Sequence, residues 1–175
     1  MKYAITGHTK GIGQRLFEKL SPDALGFSKS TGYDITDSKF RNTIIQASRD
    51  CEVFINNAFQ DDGQVQLLYE LFDSWKNEKK IIINIGSETT CGIKNYSHPY
   101  AAYKAALDKA SEQLSHLNMP CRVVNIKFGW VGSNRVLENF NPKSYIELND
   151  ACDIILDSIK LSYNYRLTEL LVRPN

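Results

Sequence analysis

Three side chains with complementary chemistry follow one another along the middle of the chain. Ser87 is followed by Tyr100 thirteen residues later and by Lys104 four residues after that. A serine hydroxyl can hydrogen-bond a carbonyl oxygen, and a tyrosine phenol can give that oxygen a proton or take one away. Tyr100 and Lys104 have the i, i+4 spacing that places two side chains on one face of a helix. The pattern predicts catalytic roles for Ser87, Tyr100 and Lys104 at a reacting oxygen atom.

The lysine is expected to act on the tyrosine through its charge. Lowering the pKa of a phenol by about two units from its usual value of about 10 requires about 2.7 kcal/mol. An ammonium about 5 Å away supplies roughly 3 kcal/mol at an effective dielectric constant of about 20. We therefore predict that Lys104 lowers the pKa of Tyr100. Tyr96 and Tyr103 are the neighbouring alternatives, and neither is followed by a lysine four residues later.

A cluster of glycines precedes these residues, between a short apolar segment and an amphipathic one. Gly7, Gly11 and Gly13 lie where a predicted strand ends and a predicted helix begins. A backbone without side chains can turn tightly and approach a pyrophosphate, whose charge is stabilised at a helix N-terminus. The cluster predicts a dinucleotide-binding turn, although the glycines alone also fit a plain connection between strand and helix. The predicted contacts with the dinucleotide are Gly7, Thr9, Lys10, Gly11, Ile12 and Gly13.

The end of the second predicted strand indicates which dinucleotide binds. A carboxylate at this position is typical of NAD sites, because it accepts a hydrogen bond from the ribose 2′-hydroxyl. Here Ser28, Lys29 and Ser30 stand at the strand end, and Lys10 lies in the glycine turn. Hydroxyl and ammonium groups would bind a 2′-phosphate, which a carboxylate would repel. We predict NADP(H) in preference to NAD(H), the alternative being that Lys10 and Lys29 are merely solvated.

Short apolar segments alternate with longer amphipathic ones, which is typical of βαβ units and a parallel sheet. The predicted strands span residues 2–6, 24–28, 51–56, 80–85, 121–127 and 167–172, and the predicted helices span residues 11–20, 37–49, 63–77, 97–117 and 149–160. Residues 80–85 are so continuously apolar that both faces of this strand should be buried. The fold class is α/β: a single doubly wound parallel sheet of about six strands with helices on both faces. We expect one domain over residues 1–175, with a small substrate-facing region around 128–148.

Composition and charge argue against several classes of partner. The formal net charge is +1, and no basic run suits nucleic acid or an acidic membrane surface. The apolar stretches fall far short of the roughly 20 residues that a membrane-spanning helix needs. The four cysteines have no metal-site spacing, so we expect free thiols, no metal and a cytoplasmic protein.

In these motifs and in several further segments, the chain resembles the short-chain dehydrogenase/reductase family. The residues that carry the resemblance are Thr6-Gly7-x-x-x-Gly11-Ile12-Gly13, Asn56-Asn57-Ala58, Ser87, Tyr100-x-x-x-Lys104 and the segment 122–133. The resemblance implies a Rossmann-like oxidoreductase that transfers hydride between NADP(H) and a small-molecule carbonyl or alcohol. It also implies that Lys104 holds the nicotinamide ribose, and that a basic residue at position 10 marks an NADP-using member.

The same resemblance assigns further cofactor contacts. Asp34 and Ile35 would flank the adenine, and Asn57 and Ala58 would steady the sheet beside the cofactor. Val131 and Ser133 would meet the nicotinamide carboxamide.

The chain also departs from the family pattern. Only five residues separate Ser28 from Asp34, so a helix and an outer strand that are usual in the family should be missing. Phe59 stands where a glycine is usual. The helix asparagine of the family's catalytic tetrad has no evident counterpart, and Gln60, Gln64 or a water molecule are the open substitutes.

Two other functions and two oligomeric states remain open from the sequence. The alternatives are a non-catalytic redox sensor that binds NAD(P), and a nucleotide-sugar epimerase, dehydratase or reductase. A homodimer would pair through the helices at 63–77 and 97–117, and a monomer is the other expectation. The second of these helices carries the small residues Ala102, Ala105, Ala106 and Ala110.

Overall fold

A parallel sheet forms the centre of the computed structural model, which describes residues 1–93 and 95–175. Within these residues its strands are β1 (Tyr3–Thr6), β2 (Ala24–Phe27), β3 (Val53–Asn56), β4 (Ile81–Ser87), β5 (Arg122–Phe128) and β6 (Glu169–Val172). Their order across the sheet is β2-β1-β3-β4-β5-β6, and every neighbouring pair is parallel. The strand order reverses between β1 and β3, because the chain first moves outward to β2 and then returns to the other side of β1. The predicted fold class is confirmed.

Helices cover both faces of the sheet. They are α1 (Gly11–Leu20), α2 (Ser38–Ala47), α3 (Gly63–Trp75), α4 (Pro99–His116), α5 (Asn134–Asn139) and α6 (Leu148–Asn164). Successive side chains of a strand point to opposite faces. Phe54 and Ile82 accordingly belong to the apolar core beneath α2, α3 and α4, while Ile55 and Ile83 belong to the core beneath α1 and α6. Because both faces are covered, these central strands are apolar along most of their length.

The connection after β2 is as short as the sequence predicts. A 3-10 turn at Lys29–Thr31 follows β2, and Ile35, which is 4% exposed, enters the core beneath α2 and α3. The chain then forms α2 and returns through β3 beside β1. β2 is an edge strand of the sheet. This confirms, for residues 1–93 and 95–175, the prediction that the outer strand usual in the family is absent.

Two segments differ from the sequence prediction. α5 lies in the region predicted only as substrate-facing, and none of its six residues is buried. α6 runs to Asn164 rather than to residue 160. Two late serines bond back to the preceding turn of this helix: Ser158 Oγ donates to the Ile154 carbonyl at 2.8 Å and Ser162 Oγ to the Ser158 carbonyl at 2.7 Å.

Of the four alanines named for the predicted dimer contact, three lie on the outer face of α4. Ala102, Ala105 and Ala106 are exposed, whereas Ala110 is 2% exposed and packs in the core. The homodimer remains a prediction, but Ala110 is buried and cannot belong to its contact surface. No helix among residues 1–93 and 95–175 combines the length and apolar character needed to cross a membrane.

Candidate active site

The glycine turn connects β1 to α1 in a shape that side chains would block. Gly7 and Gly11 have φ angles of 72° and 55°, in the left-handed region that favours glycine. A Cβ atom on Gly13 would lie 2.2 Å from the Gly7 carbonyl oxygen. A Cβ atom on Gly7 would lie 2.8 Å from Asn57 Nδ2. The turn and the start of α1 therefore present bare backbone at the carboxyl edge of the sheet.

Asn57 and Ala58 lock the ends of β1 and β3 together. The Thr6 hydroxyl oxygen accepts hydrogen bonds from the backbone amides of Asn57 and Ala58, both at 3.0 Å. Asn57 Nδ2 donates to the Thr6 carbonyl at 3.0 Å. The structure thus places both predicted residues directly against the glycine turn, at the point where the strand order reverses.

Three hydroxyl groups gather where the glycine turn meets the end of β2. The oxygen atoms of Thr9 and Ser28 are 3.2 Å apart, those of Thr9 and Ser30 are 3.1 Å apart, and those of Ser28 and Ser30 are 2.7 Å apart. We call Thr9, Ser28 and Ser30 the hydroxyl cluster. Ser30 reaches the cluster because the chain folds back into a 3-10 turn, Lys29–Thr31, directly after β2.

The two charged residues near this cluster pair with each other. Lys29 Nζ lies 2.8 Å from Asp34 Oδ2, and Lys29 is the main cause that lowers the pKa of Asp34 to about 2. Lys29 was predicted at a phosphate, and the family resemblance implied Asp34 at the adenine. Lys10 is exposed and has no carboxylate within ion-pair distance in the part of the chain that the structure describes.

Ser87, Tyr100 and Lys104 come together at the same edge of the sheet. Ser87 is the last residue of β4, and Tyr100 and Lys104 occupy the first two turns of α4. Lys104 Nζ lies 5.7 Å from the centre of the Tyr100 ring. Phe59 closes the group from the β3 side, with its ring 4.7 Å from the Tyr100 ring and 5.4 Å from Lys104 Nζ. The three predicted side chains therefore share one site, whereas their catalytic roles remain predictions.

Burial controls the protonation of this site. It raises the pKa of Tyr100 above its usual value, and the hydroxyl of Ser87 and the charge of Arg135 only partly offset it. Burial also lowers the pKa of Lys104 to about 7, against an opposing effect of Asp108. The prediction that Lys104 lowers the pKa of Tyr100 is wrong for the protein alone. The removal of Tyr100 and Lys104 from water has a larger effect on both pKa values than the charges nearby.

Gln64 is the polar partner of the buried lysine. Lys104 is 3% exposed, and its Nζ donates to Gln64 Oε1 at 2.8 Å and to the Ile85 carbonyl at 2.7 Å. Gln64 Nε2 in turn donates to the Asn56 carbonyl at 2.6 Å. Of the substitutes that the sequence left open, Gln64 contacts Lys104 and Gln60 does not. The sequence could not choose, because the choice depends on where α3 begins relative to β3.

The segment 129–147 lies over the glycine turn. A bridge between Val131 and Ile146 holds its two ends together, and Val131 packs in the core beneath α6. A Cβ atom on Gly11 would lie 3.6 Å from Ser133 Cβ, so Ser133 lies beside the turn, and its contact with the nicotinamide stays a prediction. A groove of about 880 Å³ separates α1 from α5 and the start of α6. Residues that line it include Lys10, Gly11, Gln14, Ser133, Arg135 and Glu147.

Arg135 is a site residue that sequence reasoning missed. It lines the groove from α5, and its charge favours the phenolate form of Tyr100. The only sequence signal was its place in the region around 128–148, which many other polar residues share. In residues 1–93 and 95–175 we find no group of three or more histidine, cysteine, aspartate or glutamate side chains suited to a metal ion.

Sequence comparison finds no family model and no curated protein that the chain matches. Structure comparison does find similar proteins. A short-chain dehydrogenase from Burkholderia cenocepacia J2315, in complex with NADP, has a TM-score of 0.79 at 17% identity, covering 98% of this chain and 89% of its own. A small-chain dehydrogenase in complex with NADPH has a TM-score of 0.77 at 18% identity, with 99% and 96% covered.

A third similar structure is 4-hydroxyisoleucine dehydrogenase complexed with NADH. Its TM-score is 0.79 at 14% identity, and 99% of this chain and 97% of the dehydrogenase are covered. The resemblance that the motifs indicated is thereby confirmed for the fold, which is that of the short-chain dehydrogenases/reductases.

Proposed function

We propose that the protein is an NADP(H)-dependent oxidoreductase that reduces a carbonyl group or oxidises an alcohol, with Tyr100 as the proton donor or acceptor. The observation that carries the proposal is the gathering of Ser87, Tyr100 and Lys104 beside a glycine turn. Ligands of open parallel sheets bind at the carboxyl ends of the strands, where the strand order reverses. The glycine turn and Asn57 lie at that reversal, between β1 and β3.

The residues around the turn fit a dinucleotide. Cβ atoms on Gly7 or Gly13 would collide with Asn57 or with the Gly7 carbonyl, so only bare glycine backbone lets the turn close this tightly where α1 begins. The hydroxyl cluster offers three donors to phosphate oxygens, and the exposed Lys10 adds a positive charge. These features support NADP(H) over NAD(H). Among the similar structures, some are described with NADP or NADPH and others with NADH.

The chain's own groups suit proton donation to an oxygen atom. When bound, a reduced nicotinamide supplies the hydride. Because its pKa is raised, Tyr100 keeps its proton at neutral pH and can give it to a developing alkoxide. Ser87 hydrogen-bonds and orients the same oxygen. Lys104, with a pKa of about 7, is an ammonium below neutral pH and loses that charge as the pH rises further.

The test is turnover. The protein is incubated with NADPH and a panel of aldehydes and ketones, and the absorbance of the reduced cofactor is followed. We expect at least one carbonyl compound to consume NADPH, and expect Tyr100→Phe to bind NADPH without consuming it. Binding of NADPH by the wild type with no consumption across the panel would favour the redox sensor.

The epimerase or reductase alternative needs a separate measurement, because an epimerase regenerates its cofactor. Product analysis after incubation with nucleotide sugars tests it. A converted sugar with no net change in cofactor absorbance would overturn the proposed reaction while leaving the cofactor site intact.

A further inference from the structure

We propose that Asp108 is a positioning residue of this site, whose carboxylate ties the turn after Ser87 to α4 and places a negative charge one helical turn from Lys104. The inference rests on the proposed function for the roles of Ser87 and Lys104. Its structural basis is a set of direct contacts that Asp108 makes with the turn after Ser87 and with β5.

Asp108 continues the line of functional side chains along α4. It follows Lys104 by four residues and Tyr100 by eight, so the three lie on one face of the helix. The Asp108 side chain is 18% exposed, and Lys104 is almost fully buried. The Asp108 carboxylate therefore lies one helical turn from Lys104.

The carboxylate binds the segment that begins with Ser87. A 3-10 turn, Glu88–Cys91, follows β4, and Thr90 Oγ1 in that turn lies 2.5 Å from Asp108 Oδ2. The same hydroxyl lies 3.0 Å from the Ser87 carbonyl oxygen. A hydroxyl has one proton, and an ionised carboxylate is the stronger acceptor. Asp108 therefore fixes the turn that follows Ser87 against the helix that carries Tyr100.

The other carboxylate oxygen is anchored to the sheet. Asn125 Nδ2 on β5 donates to Asp108 Oδ1 at 2.7 Å. Asn125 fits there because the neighbouring strand has Gly86, where a Cβ atom would lie 2.6 Å from Asn125 Oδ1. Asp108 thus joins three elements: α4, the turn after β4, and β5.

These hydrogen bonds do not by themselves require a charge, since an amide could accept from Thr90 as well. The charge acts on Lys104, because Asp108 opposes the effect of burial that lowers the pKa of Lys104. The ionisable groups that face this pair are Tyr100 on α4, Lys127 on β5, Glu169 on β6 and Cys91 in the turn. Lys127 Nζ is 3.7 Å from Asp108 but 2.9 Å from Glu169, so Glu169 is the closer ion-pair partner of Lys127.

Asp108→Asn tests the charge while preserving the shape. The new amide oxygen can still accept from Thr90. The new amide nitrogen would face Asn125, whose Oδ1 has no partner among the described residues and can accept after a flip of the amide. We expect the pH at which Lys104 titrates, followed by NMR of its ammonium group, to move lower than in the wild type. We expect kcat at neutral pH to fall about tenfold, with the upper pH limb moved in the same direction.

Three comparison variants separate charge from tethering. Thr90→Val removes the tether and keeps the charge, so it should lower kcat without moving the Lys104 titration. Asp108→Glu keeps the charge, so Lys104 should titrate at the same pH as in the wild type. This should hold even if the displaced carboxylate weakens the hydrogen bond to Thr90. Asp157→Asn removes an exposed carboxylate from α6, where it pairs with Lys160, and should change neither measurement.

An unchanged Lys104 titration in Asp108→Asn would overturn the proposal and reduce Asp108 to a packing residue. If Asp108→Asn unfolds, the titration in Asp108→Glu decides, because a shift to lower pH despite the retained charge would also overturn it. The NMR measurement needs no turnover. A wild type that reduces no carbonyl compound would therefore refute the proposed reaction without hiding the answer about Asp108.

Discussion

The floor and the cover of the candidate site are built in different ways. The floor consists of the ends of β3 and β4, α3 and α4, and it contains buried polar side chains that hydrogen-bond to one another. The cover is the segment 129–147, which contains the short α5 and has exposed aromatic rings at Trp130 and Phe140. From this difference we propose that the floor carries the proposed chemistry and that the cover sets the choice of substrate.

A row of asparagines shows how the floor is fixed. Asn56, Asn84 and Asn125 are in register on three neighbouring strands, and each is at most 1% exposed. Asn56 Nδ2 donates to Asn84 Oδ1 and to the Gln64 carbonyl, each at 3.0 Å, and Asn84 Nδ2 donates to Ser111 Oγ at 3.0 Å. Buried polar groups cost free energy unless they are paired. These bonds therefore hold α3 and α4 at fixed positions, and with them Gln64 and Lys104.

The cover has few buried hydrogen bonds of this kind. Trp130 and Phe140 stack with their ring centres 5.1 Å apart, yet they are 45% and 58% exposed. It is attached to the body through Val131 and Ile146, which both pack in the core beneath α6, and through the Gly129 amide, which donates to the Val172 carbonyl at 2.9 Å. Segments with few buried contacts open at low free-energy cost. We expect substitutions in the floor to change catalysis or stability strongly, and those in the cover to change substrate binding.

The largest effect is expected at Tyr100. Tyr100→Phe keeps the ring against Phe59 but removes the proton donor, so kcat should fall by about 10³-fold. The Kd for NADPH, measured by fluorescence, should stay within about threefold, since the lost hydroxyl is not part of the glycine turn. Tyr103→Phe is the matched control and should keep most of the activity. Comparable activity in Tyr100→Phe and the wild type would mean that the floor does not carry the chemistry.

Lys104 should give the protein a distinctive pH dependence of stability. Its pKa in the folded state, about 7, lies below the unfolded value, so between these values the unfolded chain binds more protons than the folded protein. The free energy of unfolding should therefore rise with pH above about 7 relative to Lys104→Met, by at most about 1.4 kcal/mol per pH unit. Denaturant unfolding of both proteins from neutral to alkaline pH measures the difference. Lys109→Met, an exposed substitution on the same helix, should run parallel to the wild type, and a parallel Lys104→Met curve would contradict the burial effect.

Gln64 should matter more for stability than its small size suggests. Gln64→Leu leaves the Lys104 ammonium and the Asn56 carbonyl each without one buried partner, which should cost about 1–3 kcal/mol. Urea denaturation measures this loss. Gln60→Leu, at a residue that does not contact Lys104, is the matched control. Equal stabilities of the two variants would show that the Gln64 bonds do not hold the floor together.

A smaller and more selective effect is expected in the hydroxyl cluster. Ser28→Ala removes one donor that would bind the 2′-phosphate, so the Kd for NADPH should rise about tenfold. The Kd for NADH should change little, because NADH has no phosphate there. Thr31→Val in the same 3-10 turn removes a hydroxyl outside the cluster and should leave the ratio of the two constants unchanged. A wild type that binds NADH more tightly than NADPH ends the NADP(H) proposal.

The sequence predicted the fold and the floor better than their energetics. The order of strands and helices along the chain followed from alternating apolar and amphipathic segments, and the grouping of Ser87, Tyr100 and Lys104 followed from their spacing and from the family resemblance. The pKa of Tyr100 did not follow, because burial depends on how Phe59 and α4 pack, and no local pattern contains that. For the same reason the sequence did not choose Gln64 over Gln60 and did not indicate Arg135. In the cover, a helix as short as α5 leaves little periodicity to detect.

The smallest effect on the folded protein is expected in the cover. Phe140→Ala removes one exposed ring of the Trp130 pair, so the free energy of unfolding should change by less than about 0.5 kcal/mol. For a carbonyl substrate found in the panel, KM should change while kcat at saturation stays close to that of the wild type. Phe72→Ala, in the core beneath α3, should by contrast cost about 3–5 kcal/mol. A fall in kcat with KM unchanged in Phe140→Ala would mean that the cover also orders the reacting groups, and the division between floor and cover would then be wrong.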